Sequence, residues 1–205
     1  MKYRNLLIED TNSNATHAEI ESIENELGMP LPNDYKEFLK SCNGGYLEYD
    51  ILINFEKGRS EYLCFSSLYS ASNENDWECN PFELNEARKQ EGFPQTGILP
   101  IARDGGSSML YLDLRDGYKV VAFVQGLTEW TGLRQEDSIV IVANSFGEYL
   151  EKLTISDEMI KDHIENFKVS EDSVNSTIDW LDSIGLEWRE KFRKQWNERV
   201  PFNEV

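Results

Sequence analysis

Leu31-Pro32-Asn33-Asp34-Tyr35-Lys36-Glu37-Phe38-Leu39-Lys40-Ser41-Cys42-Asn43-Gly44-Gly45 carries most of the information about the start of the fold. Pro30 and Pro32 forbid a helix from running in from the N-terminal side. Asn33-Asp34 then supplies cap and dipole chemistry for a new helix, whose Tyr35, Phe38, Leu39 and Cys42 form one apolar stripe. Asn43-Gly44-Gly45 ends it, because Asn and Gly tolerate a left-handed backbone. Upstream, Thr16-His17-Ala18-Glu19 has capping-box spacing, Ile20, Ile23 and Leu27 recur on one helical face, and Gly28 provides a stop. Two short amphipathic helices therefore open the chain.

Downstream the period changes. Apolar extended runs at 51–55, 62–65, 98–102, 109–114, 120–124 and 139–143 read as strands. Asp116-Gly117 is a tight-turn signal that pairs two of them as an antiparallel hairpin, and Asp104-Gly105-Gly106 does the same for the preceding pair. Between the second and third strands, 73–80 reads as polar loop and 82–90 as a short helix. After the last strand the pattern is helical again. Asn144 or Ser145 caps a helix bearing Phe146, Tyr149, Leu150 and Leu153, and Ser156 opens one bearing Met159, Ile160, Ile164 and Phe167. Past a joint at Ser170-Glu171-Asp172-Ser173, Val174, Ile178 and Leu181 share a face, and Trp188, Phe192, Trp196 and Val200 follow in steps of four.

Composition excludes several classes. The 205 residues are 40% hydrophobic and 12% aromatic, enough to build a core. The 38 acidic residues against 20 basic ones give a net charge of −18, so direct nucleic-acid binding is not expected. The longest purely apolar runs, 120–124 and 139–143, fall far short of the roughly 20 residues that span a bilayer. Leu6-Leu7-Ile8 is too short for the core of a signal peptide, and Cys42, Cys64 and Cys79 are few, odd in number and widely spaced, so a cytoplasmic protein with reduced thiols is expected.

Read together, Leu27-Gly28, the stretch from Leu31 to Leu39 and Asn43-Gly44-Gly45 resemble the opening of the SMI1/KNR4 family, or SUKH superfamily. Gly97-Ile98-Leu99-Pro100-Ile101-Ala102 with Asp104-Gly105-Gly106, Tyr111-Leu112-Asp113-Leu114, and Ala143-Asn144-Ser145-Phe146-Gly147-Glu148-Tyr149-Leu150 are similar to its middle and end, in the same order. The resemblance covers about 20–153. It implies an α+β fold, a twisted mostly antiparallel sheet with helices packed against it, for a domain over 1–154. A helical extension over 155–205, outside the resemblance, is expected to pack on that same domain. It also implies a non-catalytic immunity protein that binds a cognate toxin, often a nuclease. The family's other branch, yeast regulators of cell-wall synthesis and signalling, implies a scaffold that binds several cellular proteins. This chain has no long disordered arms, which favours the compact inhibitor.

No catalytic, cofactor or metal site is expected. The only histidines are His17 and His163, no Cys-x-x-Cys occurs, and Gly105-Gly106-Ser107-Ser108 is not a nucleophile elbow. Asp113, Asp116 and Glu129 could form a carboxylate cluster, but strand and turn roles account for the first two. The acidity is the functional lead: excess acid commonly serves solubility, and it also suits a negative face that mimics a nucleic-acid backbone and steers onto a basic nuclease cleft. Trp77, flanked by Asp76 and Glu78 in a loop, fits an interface anchor surrounded by charge, and Asp104 is counted with them as partner-binding. Arg189, Lys191, Arg193, Lys194 and Arg199 around the Trp188, Phe192, Trp196 stripe are expected to face the acidic surface. A homodimer contact through that stripe is the other arrangement, and Glu187, Glu190 and Glu198 argue against a membrane-surface role.

Overall fold

Local chemistry places the first helix of the computed structural model, which describes residues 1–71, 89, 92–132, 134–183, 185 and 187–205. The Glu19 amide donates to Thr16 Oγ1 at 3.3 Å and the Thr16 amide donates to the Glu19 carboxylate at 2.7 Å, closing the capping box of α1, His17–Leu27. Those bonds, the Thr16 backbone amide first, hold the Glu19 carboxyl below its usual range. Gly28 ends α1 at φ +69°. The second helix, α2, spans Asn33–Ser41 and begins differently from expectation. Pro32 occupies the cap position with no side-chain bond, and Asp34 lies inside the first turn. Its carboxylate accepts from the Tyr35 amide at 2.9 Å and from the Gly147 amide at 2.7 Å. Gly147 lies in the first turn of α3, Phe146–Lys152, so one acid serves the exposed amides of two helices.

The chain divides into a sheet unit, Met1 with Ile8–Leu153, and a helical unit, Lys2–Leu7 with Thr154–Val205. The sheet unit is built on β3 (Gly45–Tyr46), β6 (Ser67–Leu68), β7 (Ile98–Arg103), β8 (Met109–Asp113), β9 (Lys119–Val124) and β10 (Ser138–Ala143). Their order across the sheet is β10-β9-β8-β7-β6-β3, with every neighbouring pair antiparallel. A separate hairpin pairs β4 (Asp50–Asn54) with β5 (Ser60–Cys64). The fold is α+β, as the sequence implies, with six helices among the described residues.

Alternation along the strands places Leu110, Leu112, Val120, Ala122 and Val124 on the buried face. Against it the ring of Phe146 meets Tyr35 edge-on at 4.8 Å and Phe38 at 5.1 Å, joining α2 and α3. Each such ring contributes on the order of 2 to 3 kcal/mol by leaving water. Asn43, at φ +51° and fully buried, is more than a helix stop. Its Nδ2 donates to the Ser13 carbonyl at 2.6 Å, its Oδ1 accepts from the Ala71 amide at 2.7 Å, and Asn12 Nδ2 donates to its carbonyl at 3.1 Å. Gly45 at φ +126° passes so close to strand-forming backbone that a Cβ there would stand 2.6 Å from the Glu9 carbonyl oxygen.

The hairpin expected at Asp116-Gly117 is present, but its loop is longer than a two-residue turn. Asp113 pairs with Lys119, and the Leu114 amide is taken by the Gly97 carbonyl at 2.8 Å, leaving 114–118 to reverse the chain with Gly117 at φ +76° and Tyr118 at φ +60°.

In the helical unit, β1 (Lys2–Tyr3) pairs with β2 (Leu6–Leu7), followed by α4 (Asp157–Asn166), α5 (Glu171–Asp182) and α6 (Glu187–Arg199). Ser156 and Ser170 cap α4 and α5. The buried face of α5 is Val174, Thr177, Trp180 and Leu181, which corrects the expected Ile178 to Trp180. Trp188, Phe192, Trp196 and Val200 are buried as a stripe, with Trp196 stacked on Phe167 at 5.9 Å. Three of the five basic residues expected to face an acidic surface find acids within their own unit, Arg189 with Asp182, Lys191 with Asp157 at 3.2 Å and Lys194 with Glu198 at 3.9 Å, and Arg199 donates to the Phe167 carbonyl at 3.2 Å.

Candidate partner-binding surface

The sheet's second face is not polar. Beside the buried positions of β8 and β9, Met109, Tyr111, Val121 and Phe123 alternate onto a half-buried face. Register extends this row to the edge strand, where Ile139 lies opposite Phe123 and Ile141 opposite Val121. Ile139 is 77% exposed and Ile141 57%, high values for β-branched side chains. On the separate hairpin, Leu52 and Tyr62 face each other across the ladder, and both are exposed.

The segment from Gln125 to Asp137 connects β9 to β10. At its neck the Leu127 amide donates to the Arg134 carbonyl at 2.7 Å and the Gly126 amide to Asp137 Oδ1 at 2.8 Å. Gly126 fits there because a Cβ would stand 2.3 Å from the Gln135 carbonyl oxygen. At the tip a 3-10 turn, Glu129–Thr131, closed by Gly132 at φ +67°, holds up Trp130 at 85% exposure. Arg134 Nη1 pairs with Glu61 Oε2 on β5 and its guanidinium lies 5.6 Å from the Phe55 ring centroid. Arg59 meets the other Glu61 oxygen at 3.0 Å and donates to the Gly132 carbonyl at 3.2 Å. Hairpin and loop are thereby fixed to one another, so Trp130 is displayed on an ordered support rather than a free loop.

Such a surface can hold a protein partner. Tryptophan gives the largest apolar contact with few rotatable bonds, and an exposed aromatic ringed by polar groups is the usual anchor of an interface. Among the described residues no group of three His, Cys, Asp or Glu converges as a metal site would. Asp113 pairs with Arg115 at 2.8 Å, Asp116 with Lys119, and Glu129 lies in the other loop. Burial, then the charge of Asp50, pushes the Cys64 thiol up to about 12, and burial pushes Cys42 up to about 11, so neither is a ready nucleophile.

Of the residues singled out in the sequence, Asp104 sits in the β7–β8 turn. Its Oδ1 accepts from the Gly106 amide at 2.8 Å and the Ser108 amide at 3.0 Å, an Asx turn. Ser108 Oγ in turn accepts from the Gln125 amide at 3.2 Å, so this turn stands at the end of the sheet from which the Trp130 loop departs. Asp76, Trp77 and Glu78 lie outside the described residues, as do Cys79 and, apart from Lys89, the expected helix at 82–90. Trp130 was missed although Glu129-Trp130, between Gly126 and Gly132, carries the same loop-and-acid signal that singled out Trp77.

The SMI1 / KNR4 family (SUKH-1) matches residues 14–152. The chain belongs to this family. The matched span includes α1, α2, the six-stranded sheet, the β4–β5 hairpin, the Trp130 loop and α3, and leaves α4, α5 and α6 beyond it. The chain is also 26% identical over 162 residues to the SPbeta prophage-derived uncharacterized protein YokK of Bacillus subtilis (strain 168), covering 71% of this chain and 77% of that protein. Asp34, Asn43 and Gly45, which lie within the matched span, act here as backbone organisers. No helix among the described residues is long and apolar enough to cross a membrane.

Proposed function

We propose that this chain is a non-catalytic immunity protein that acts in the cytoplasm by occluding a cognate basic protein toxin, with a nuclease as the toxin class its charge suits best. Membership of a family whose members are commonly immunity proteins supports this, as does a relative named as prophage-derived. The carrying observation is Trp130, 85% exposed on a braced loop that leads into the edge strand bearing the exposed Ile139 and Ile141. An exposed β-branched edge strand is a template for pairing, and apolar patches exposed on a protein surface mark interaction sites. The net charge of −18 adds long-range attraction toward a basic target, raising the association rate and excluding acidic competitors.

The test is retention of a partner on the tagged full chain, salt-gradient elution, and expression of that partner with and without the chain. The immunity reading expects one stoichiometric basic protein that arrests growth alone and is tolerated in the chain's presence. Several substoichiometric envelope or signalling proteins, none of them toxic, would replace it with the scaffold reading.

A further inference from the structure

We propose that the free edge of β10 accepts an extended strand from the partner, a β-branched segment with a lysine- or arginine-rich end seated in the slot between β10 and β4. The inference rests on the partner-binding reading and adds its mode. β10 ends the six-strand order, so its outer side has no ladder partner among the described residues. A cavity of about 330 Å³ lies along that side, with residues 140–142 on one wall and 51–54 on the other. Cα atoms of β4 and β10 approach within 8 Å, yet β4 shares its ladder with β5 alone. Two sheet edges thus face each other without pairing.

The composition of the edge is that of an acceptor. Ser138-Ile139-Val140-Ile141-Val142-Ala143 has no charge, proline or glycine, the devices that normally blunt an exposed edge. Its register with β9 is regular from Ser138 to Ile141 and shifts only between Ile141 and Ala143, so the open part is an unbulged ladder. At that shifted end Lys152 Nζ donates to the Val142 carbonyl at 2.9 Å, which stops the slot. Charge sets the direction of entry. A second cavity of about 740 Å³ shares Val140 with the slot and opens beside Glu56, Glu136 and Asp137, while the nearby Arg59 and Arg134 are both engaged by Glu61. A cationic end belongs at that mouth. Seating a strand needs about 9.6 Å between its flanking strands, two inter-strand spacings, so the β4–β5 hairpin moves outward where it now stands closest, and the loop tied to it through Glu61 moves with it.

The test uses the full chain and a synthetic peptide, acetyl-Thr-Val-Thr-Val-Thr-Lys-Lys-amide. Its controls are the same peptide N-methylated on alternate amides, which keeps the side chains and removes ladder donors, and a version with glutamates in place of the lysines. Expected are saturable binding and at least tenfold slower amide exchange within 138–142. Binding should fall at least tenfold with either control peptide and with the Ile139→Lys chain, whose exposed site leaves the melting temperature unchanged. No protection within 138–142, or equal binding of the N-methylated peptide, overturns the proposal. A chain that suppresses its toxin yet shows no such protection loses the slot and keeps the immunity reading; one that takes the peptide but suppresses no toxin does the reverse.

Discussion

Replacing Asn43 by alanine removes a side chain that organises three segments at once. The Ser13 carbonyl loses its 2.6 Å donor and the Ala71 amide loses its 2.7 Å acceptor. Two such bonds contribute about 1 kcal/mol each, and more where the orphaned group stays dry. Alanine must also hold φ +51°, a left-handed conformation that costs a Cβ-bearing residue about 1 to 2 kcal/mol and that asparagine tolerates. The sum is about 3 to 4 kcal/mol. Asn43→Gly loses the same bonds without the conformational cost, so it should lie about 1 kcal/mol above alanine. Urea unfolding followed by amide NMR signals of β8 and β9 reads the sheet unit, whereas tryptophan fluorescence would mix in Trp180, Trp188 and Trp196 of the helical unit. A fall in midpoint at constant slope reports stability alone. An Asn43→Ala cost below about 1 kcal/mol, or identical glycine and alanine variants, would refute the assignment of Asn43 as a hub.

Other perturbations separate the remaining parts. Arg189, then the Trp188 indole, holds the Asp182 carboxyl below its ordinary value. The stability from that pair is therefore complete above the usual aspartate range near ~3.9 and is lost as pH falls through the lower folded value. Asp182→Asn should lower the helical unit's stability by about 1 kcal/mol at neutral pH, with the difference from wild type closing in acid when melting is repeated across pH. Glu61→Ala strands Arg134, whose side chain is 10% exposed, and should cost about 2 to 3 kcal/mol while speeding amide exchange in the Trp130 loop. Association with the partner should slow steeply as salt rises; a rate flat across ionic strength contradicts the electrostatic contribution.

What could be read from the chain divides by range. The Thr16–Glu19 box, the Gly28 stop and the Ser145 and Ser156 caps were legible because donor and acceptor lie three residues apart, whereas Ser170 read only as part of a joint. The long strands were legible from their apolar runs. β3 and β6 were not, because two residues carry no period. Asp34 reads locally as dipole chemistry, and its bond to Gly147 depends on α2 and α3 meeting in the fold. The apolar run at 139–143 reads as a strand, and only the strand order reveals that it is an edge with Ile139 and Ile141 in solvent. Ile178 was chosen for α5 by simple four-residue spacing, whereas the face that is buried centres on Thr177 and Trp180.

The most direct test is the affinity of the captured partner for the Trp130→Ala chain, measured by calorimetry beside wild type. Trp130 is solvated in the free chain, so the substitution should leave melting unchanged while weakening binding by more than about 2 kcal/mol, roughly thirtyfold. Equal affinity of the two chains would place the partner elsewhere and contradict this surface as the binding face.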